Sequence, residues 1–217
     1  MKEWKINRVW QIAYPILVYY VLYNVFYTVL CFLFGGVMDR LFWLGVASLL
    51  TLPFLVQIYR KLPIVRAEKA FDSTALPKEG LMILVVVLLG VGLNLLISHT
   101  PLVEVSEGYA SANETLFTGD FFSKVFANCI CIPVLEELVY RGIVCGQLKL
   151  WYSPKTAVII SAFLFGIMHF NVVQFLYGFL VGMAISAVYV KTSRLWVVMV
   201  AHGLTNFVVV LAATLGV

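Results

Sequence analysis

Residues 131–146, CIPVLEELVYRGIVCG, place Glu136, Glu137 and Arg141 inside a run of apolar side chains. The run is typical of a membrane-spanning helix. A carboxylate at the middle of such a helix costs about 2.5–3.5 kcal/mol on insertion scales, and two in succession roughly double that penalty. Whether this stretch crosses a membrane therefore determines the fold class, and what compensates the two carboxylates bears on function.

The composition of the whole chain answers the first question. Of 217 residues, 62% are hydrophobic and only 12% are charged, and the mean hydropathy is +0.98. That is too little polar surface to cover a soluble globule. We therefore expect an integral membrane protein in contact with lipid. The net charge of +4 lies in loops that would face anionic headgroups, so it gives no reason to expect a nucleic-acid partner.

Apolar runs interrupted by charged and turn residues predict an all-α, multi-pass membrane bundle of about seven transmembrane helices. A spanning helix needs about 20 apolar residues, so one integral membrane domain over residues 1–217 is expected. The first run lacks a small-residue cleavage site, which indicates a retained anchor. The fifth is short and meets the sixth at His169, Phe170 and Asn171. The runs are 9–36, 41–59, 81–98, 121–146, 156–170, 172–190 and 195–216.

The distribution of Lys and Arg predicts the orientation. If the N-terminus is cytoplasmic and the C-terminus outside, twelve of the fifteen basic residues lie on the inner side. Only Arg40 and Lys124 then lie outside, with Arg141 inside a helix. Basic residues favour cytoplasmic loops, so this orientation is preferred over its inverse.

Helix geometry separates the two carboxylates. Glu137 and Arg141 are four residues apart, or about 40° around a regular helix, which is the spacing of an ion pair. Glu136 lies about 140° from Arg141, so the same arginine does not readily satisfy it. Glu136 therefore needs another partner or another role.

Candidate partners lie on later helices. SAFLFGIMHF places His169 on the fifth run, and VMVAHGLTNF places His202 and Asn206 one turn apart on the seventh. From the inner ends of their helices, Glu136, His169 and His202 lie at about 10–20 Å, at 1.5 Å per residue. Polar side chains at similar depth on three helices predict one buried polar cavity.

Such a cavity supports hydrolysis. A glutamate and an imidazole facing one water form a general-base pair, and a second imidazole with an amide can stabilise a developing oxyanion. No serine or cysteine has an evident base, so direct attack by water is preferred over a covalent route.

The motifs resemble those of a known family. Glu136 to Arg141 fits EExxxR, Phe165 to His169 fits FxxxH, and His202 to Asn206 fits HxxxN. In this order they resemble the CPBP family, which comprises the CAAX proteases and bacteriocin-processing enzymes and is also called the Abi family. Tyr140 stands where many members have Phe. The resemblance covers about residues 121–210, so 121–217 would be the CPBP-like catalytic core and 1–120 N-terminal helices without motifs.

The resemblance implies an intramembrane glutamic endopeptidase of the CAAX prenyl protease type that needs no cofactor. Glu136 and His169 would activate the water, His202 and Asn206 would form the oxyanion site, and Glu137 and Arg141 would support the site. The substrates would be membrane-associated peptides or lipidated, CAAX-type proteins.

Three alternatives remain open. A zinc protease could use Glu136, His169 and His202 as ligands, although no HExxH motif is present. A non-enzymatic immunity or scaffolding protein could keep the same fold. A proton-coupled transporter could use the same residue types, although the two-half repeats of such proteins are not evident.

Two further expectations concern packing and access. Gly178 and Gly182 form a small-xxx-small pattern, which favours a close neighbour helix within the same chain; the oligomeric state stays open. We expect the polar cavity to open at the inner end, beside Gly146 and Leu195, because Glu136 and His202 lie fewer helical turns from that end than from the other.

Overall fold

A computed structural model describes residues 7–67 and 71–216 of the chain. Lys2, Lys5 and Lys69, which contribute to the charge count, lie outside these ranges. Within them, the regular secondary structure is entirely helical. The expectation of an all-α fold is confirmed.

The described part of the chain forms nine helices, which are numbered here in chain order. They are α1 (Arg8–Phe34), α2 (Arg40–Lys61), α3 (Leu76–Ser98), α4 (Pro101–Val105), α5 (Glu107–Phe117), α6 (121–151), α7 (Pro154–Ile167), α8 (Val172–Thr192) and α9 (Leu195–Leu215). A 3₁₀ turn, Ser73–Ala75, leads directly into α3.

Five of the helical segments are long and apolar enough to cross a membrane: α1, α2, α3 with its preceding turn, α8 and α9. They coincide with five of the predicted runs. The shorter apolar helix α7 has 14 residues, about 21 Å at 1.5 Å per residue, against a hydrocarbon core of about 30 Å. It does not reach across the bilayer on its own.

Helix α6 is continuous but irregular, which the sequence did not predict. Its α-helical parts are Phe121–Lys124, Ile132–Glu137 and Gly146–Trp151, and they are separated by two π-helical parts, Val125–Cys131 and Leu138–Cys145. The first π segment runs up to Pro133. A proline has no N–H and its ring collides with the carbonyl four residues earlier, so the regular ladder cannot continue there. Ile132 N accordingly donates to the oxygen of Ala127, five residues back.

The core lies around the second half of α6. Nearly every side chain from Leu138 to Leu148 is buried, and the neighbours are α1, α2, α7, α8 and α9. Helix α6 therefore runs through the middle of the bundle, with its motif residues enclosed by other helices.

Helices α7 and α8 form a closely packed antiparallel pair. A Cβ built on Gly178 would lie 3.4 Å from the Cα of Gly166, and one on Gly182 would lie 3.4 Å from the Cα of Ala162. The prediction that Gly178 and Gly182 seat a neighbouring helix of the same chain is confirmed.

The connection between α3 and α6 lies outside the predicted apolar runs and folds into α4 and α5. Ser106 caps α5 by accepting a hydrogen bond from Tyr109 N. At the far end, Gly119 adopts φ +114° and the backbone N–H of Asp120 donates to Asp39, which also caps α2. Helix α5 is thereby fixed across one end of the bundle.

At the opposite end, a charged cluster joins the starts of α3 and α9. Arg194 Nη1 lies 2.6 Å from Glu79 Oε1, and Nη2 lies 3.5 Å from Asp72 Oδ2. The two helices pack together along their length, so the cluster fixes the position of α9 relative to α3.

Candidate active site

The buried Glu137 carboxylate connects α6 with α9. Its Oε1 accepts a hydrogen bond from Arg141 Nη1 at 2.8 Å and another from His202 Nδ1 at 2.8 Å. Glu137 and Arg141 are both fully buried. The predicted pair forms across a junction of α- and π-helix, and the contact with His202 is an addition that the sequence did not indicate.

Arg141 links α6 to α7 and α8 as well. Its Nη2 donates to the backbone oxygen of Gly182 at 3.2 Å, and its guanidinium lies 4.4 Å from the centre of the Phe165 ring. A buried guanidinium with several partners is costly to leave unpaired, so this arrangement fixes the relative positions of the helices.

Glu136 points elsewhere, as the angular argument predicted. Its side chain is 15% exposed, and its Oε2 lies 3.9 Å from His202 Nε2. That distance is too long for a hydrogen bond. The two nitrogens of His202 therefore face two different carboxylates, with the close contact to Glu137 and the looser one to Glu136.

His169 does not lie on the helix, although the sequence predicted it there: α7 ends at Ile167, and His169 belongs to the turn that follows. Phe170 next to it has φ 56°, a left-handed conformation that stops the helix. His169 Nδ1 lies 3.0 Å from the backbone oxygen of Phe165. Since a carbonyl oxygen only accepts, this contact requires a proton on Nδ1 and leaves Nε2 as the second ring nitrogen.

The Phe165 ring, from the second motif, contacts three polar side chains of the candidate site. Its ring packs edge-on against His169 at 5.1 Å and against His202 at 5.8 Å between centroids. The same ring carries the guanidinium of Arg141 on its face. One aromatic side chain thus separates and orients three polar groups, a role that only the tertiary contacts reveal.

The third motif packs directly on the first π segment. A Cβ on Gly203 would overlap the carbonyl oxygen of Cys129, so glycine is required for α9 to approach this closely. Asn206 Nδ2 donates to the backbone oxygen of Asn128 at 2.8 Å. A backbone carbonyl in an irregular helix can lack its usual partner and accept such a bond. In the sequence, only Pro133 indicates that the helix is irregular here.

A cavity of about 560 Å³ brings the predicted residues together. Its wall includes Glu136, His169, His202 and Asn206. Glu137 and Arg141 lie behind it, fully buried. The inference that three separate helical regions contribute to one polar cavity therefore agrees with the geometry.

The direction of the cavity differs from the expectation. Much of its remaining wall comes from α5, from the end of α3 at Asn94, Ile97 and Ser98, and from the start of α8, with smaller parts from α1 and α2. The end beside Gly146 and Leu195 is filled instead: a Cβ on Gly142 would lie 3.2 Å from Leu195, and one on Gly146 would lie 3.1 Å from Ile64. The expected opening at that end is wrong, because apolar side chains pack where the sequence suggested an entrance.

In the described ranges, no group of three or more His, Cys, Asp or Glu side chains is arranged to hold a metal ion. Glu136, His169 and His202, the three ligands of the zinc alternative, share the cavity wall without forming such a group.

Comparisons with known proteins agree with the motif assignment. Residues 118–208 match the family described as "Type II CAAX prenyl endopeptidase Rce1-like". A stretch of 87 residues is 32% identical to the Bacillus subtilis protein described as "Putative membrane peptidase YdiL". This stretch is 40% of the present chain and 36% of that relative's length. No solved structure matches.

All three motifs fall within the matched residues, and the helices around them are apolar enough to cross a membrane. The protein is an integral membrane protein, and its residues 118–208 are similar to the Rce1-like family of CAAX prenyl endopeptidases.

Proposed function

We propose that this protein is an intramembrane endopeptidase in which Glu136 and His169 activate a water molecule for direct attack on a peptide bond. The observation that carries the proposal is the single cavity shared by Glu136, His169, His202 and Asn206. The family match and the description of the relative as a membrane peptidase support the same reaction class.

The hydrogen bonding of His169 suits a base. With Nδ1 donating to the Phe165 carbonyl at 3.0 Å, the neutral ring presents an unprotonated Nε2. Glu136 shares the same cavity, and within residues 7–67 and 71–216 its one ion-pair contact is the 3.9 Å between its Oε2 and His202 Nε2. A water between the carboxylate and the imidazole would be polarised by both, and one of them takes its proton as the oxygen attacks the carbonyl carbon.

His202 and Asn206 suit the stabilisation of the oxyanion. Glu137 accepts from His202 Nδ1, so a ring protonated on both nitrogens presents Nε2–H to the cavity. Two carboxylates, one guanidinium and one imidazolium make the cluster neutral in that state. Asn206 uses one amide hydrogen on Asn128 and has a second to donate. These two donors would bind the carbonyl oxygen as it becomes negative.

The intermediate then collapses as the carbon–nitrogen bond breaks. The proton taken from water passes to the leaving amine from the same base that received it. Glu137 and Arg141 do not touch the substrate in this scheme; they hold His202 and the helices in place.

The substrates we propose are membrane-associated peptides or proteins, including lipidated CAAX-type sequences. The site lies among helices that are apolar enough to span a membrane, and the matched family is named for CAAX prenyl endopeptidases. The membrane lipids are the other expected partner, and no cofactor is required by the water-activating scheme. Cleavage of a peptide panel identifies the substrate within this class.

We also propose that the N-terminus is cytoplasmic and the C-terminus outside, because twelve of the fifteen basic residues then lie inside. In that orientation α5 and the part of the cavity that it lines, with the end of α3, lie on the outer side. Substrates would therefore reach Glu136 from the outer face or laterally from the bilayer.

The test is proteolysis by purified protein in detergent. A panel of quenched peptides, including farnesylated CAAX-type ones, is incubated with wild type, Glu136→Gln and Glu104→Gln. Glu104 is an exposed carboxylate on α4 that does not line the cavity, so its substitution controls for charge. We expect wild type and Glu104→Gln to cleave and Glu136→Gln to lose most turnover. Equal turnover in all three would exclude Glu136 as the base.

A further inference from the structure

The backbone carbonyl of Asn128 lies in the first π-helical part of α6, and its own helix offers it no N–H donor. In a regular α-helix the donor would be the N–H of Ile132, four residues later, and in a π-helix that of residue 133, five residues later. Ile132 N donates to Ala127 O instead, and residue 133 is a proline, which has no N–H. Within α6, all of which the structure describes, both helical donors of the Asn128 carbonyl are therefore lost.

Asn206 supplies the missing donor from α9. Its Nδ2 donates to Asn128 O at 2.8 Å, across 78 residues of chain. A carbonyl oxygen only accepts, so this bond places the amide nitrogen, and not the amide oxygen, on the side of Asn128. Because the amide group is planar, the bond also sets the direction of its second N–H. Asn206 is half-buried and lines the cavity, so the orientation of its amide in the cavity depends on this one backbone carbonyl.

The Asn128 carbonyl is itself held in place from two sides. The side chain of Asn128, which is buried, donates through Nδ2 to Leu116 O on α5 at 2.7 Å. On the other side, Gly203 brings α9 against the next carbonyl, that of Cys129, so closely that a Cβ would overlap it. The acceptor of the Asn206 amide is therefore fixed between α5 and α9. A donor held against a fixed acceptor is preorganised, as the stabilisation of an oxyanion requires.

We propose that Pro133 is a positioning residue for the reaction: by leaving the Asn128 carbonyl without a helical donor, it orients the Asn206 amide into the cavity. This inference rests on the proposed peptidase function, in which that amide binds the oxyanion. Pro133 does not line the cavity, and it acts only through Asn128 and Asn206.

Replacing Pro133 by alanine restores a helical donor whichever form the helix takes. If the π-helical pattern persists, the N–H of residue 133 reaches Asn128 O. If the α-helical pattern returns, the N–H of Ile132 does so. In both cases the Asn128 carbonyl gains a second donor, and the Asn206 amide loses its fixed orientation. Alanine has the highest helix propensity, so the variant should fold.

The first test is the kinetics of Pro133→Ala on a peptide that wild type cleaves. The kcat should fall by at least about tenfold, compared with about 100- to 1000-fold when an oxyanion donor is removed outright. KM should change little, because the Asn206 amide binds the oxyanion only in the transition state. In the Asn206→Ala background, adding Pro133→Ala should not lower kcat further, whereas a general loss of structure would. Pro53→Ala is the matched control: Pro53 also lies inside a helix, α2, but it is exposed and does not line the cavity, so this variant should retain the kcat of wild type.

A double-mutant cycle in thermal unfolding needs no turnover and separates this inference from the proposed function. In wild type, Asn206→Ala should lower Tm by about 2–4 °C, because the Asn128 carbonyl loses its donor. In the Pro133→Ala background, the same substitution should lower Tm by less than about 1 °C, because a helical donor is present. That difference between the backgrounds, with no cleavage by wild type, would support the positioning of Asn206 and refute the peptidase. Cleavage with an unchanged kcat in Pro133→Ala, or with equal Tm losses in the two backgrounds, would refute the role of Pro133 alone. Neither cleavage nor a difference between the backgrounds would refute both.

Discussion

Glu137→Gln should destabilise the protein much more than Glu136→Gln, although the two residues are adjacent and the substitutions are isosteric. The difference follows from their surroundings. Glu137 is fully buried and accepts hydrogen bonds from Arg141 and His202, each at 2.8 Å. Glu136 is 15% exposed, and its Oε2 lies 3.9 Å from His202 Nε2.

The cost at Glu137 comes from the partner left behind. A glutamine keeps the shape but removes the negative charge, so the fully buried guanidinium of Arg141 loses its counter-charge. Breaking a buried ion pair by removing one partner typically costs about 3–5 kcal/mol. At roughly 2–4 °C per kcal/mol for a chain of this size, the expected fall in Tm is on the order of 10 °C.

The cost at Glu136 should be small. In the part of the chain that the structure describes, its carboxylate leaves no closely bound partner behind, and a neutral amide is easier to keep in an apolar environment than a carboxylate. We expect a change in the free energy of unfolding of less than about 1 kcal/mol. The effect on turnover should be the opposite of the effect on stability: Glu136→Gln should abolish turnover although it changes stability little.

The assay is thermal unfolding in one detergent, followed by circular dichroism or thiol accessibility, with turnover measured on the same preparations. Glu137→Gln/Arg141→Met is the control, since replacing both charges by uncharged groups should recover part of the lost stability. Equal Tm values for the two single variants, or a double variant less stable than Glu137→Gln, would refute the assignment of Glu137 to a buried structural pair.

Three further predictions test packing, metal dependence and orientation. Gly203→Ala should lower the free energy of unfolding by about 1–3 kcal/mol through overpacking, and it should lower turnover by displacing α9. Gly92→Ala is the control, because a Cβ there meets nothing within 4 Å, and it should not lower stability. Comparable Tm values for the two variants would refute the close approach of α9 to α6. Hydrolysis should survive EDTA and phenanthroline, and one zinc per chain by elemental analysis, lost together with activity in His169→Ala, would reverse the choice of mechanism. In a background lacking native cysteines, a membrane-impermeant maleimide should label a cysteine at Lys155 only from the cytoplasmic side and one at Glu107 only from outside. The adduct at Glu107 should slow cleavage, and the reverse labelling pattern would overturn the orientation.

The candidate site residues could be named from the sequence because they are chemically out of place. Charged and imidazole side chains within apolar runs are costly, so Glu136, Glu137, Arg141, His169, His202 and Asn206 stand out without any coordinates. The helical spacing of Glu137 and Arg141 predicted their contact, which forms at 2.8 Å. Local pattern and composition suffice for conclusions of this kind, since they depend on solvent and on neighbours along one helix.

The irregular parts of the fold were not accessible in the same way. The first π-helical part of α6 lies just before Pro133 and packs closely on α9 at Gly203, and hydropathy carries no record of that contact. The helices α4 and α5 were missed because their sequence is too short and mixed to give a periodic signal. The predicted direction of the cavity was wrong because it was based on the distance of each residue from the end of its own helix. That distance does not show which end of the bundle is filled by the side chains of neighbouring helices.

The sequence by itself determined that this is a membrane helical protein, which residues are costly enough in lipid to be candidates for function, and which family the motifs resemble. The tertiary structure alone decided that His202 contacts Glu137 and that Phe165 separates Arg141, His169 and His202. It also decided that Asn206 reaches the carbonyl of Asn128. These contacts join residues far apart in the chain, and whether they form depends on the close packing of whole helices, which no local pattern encodes.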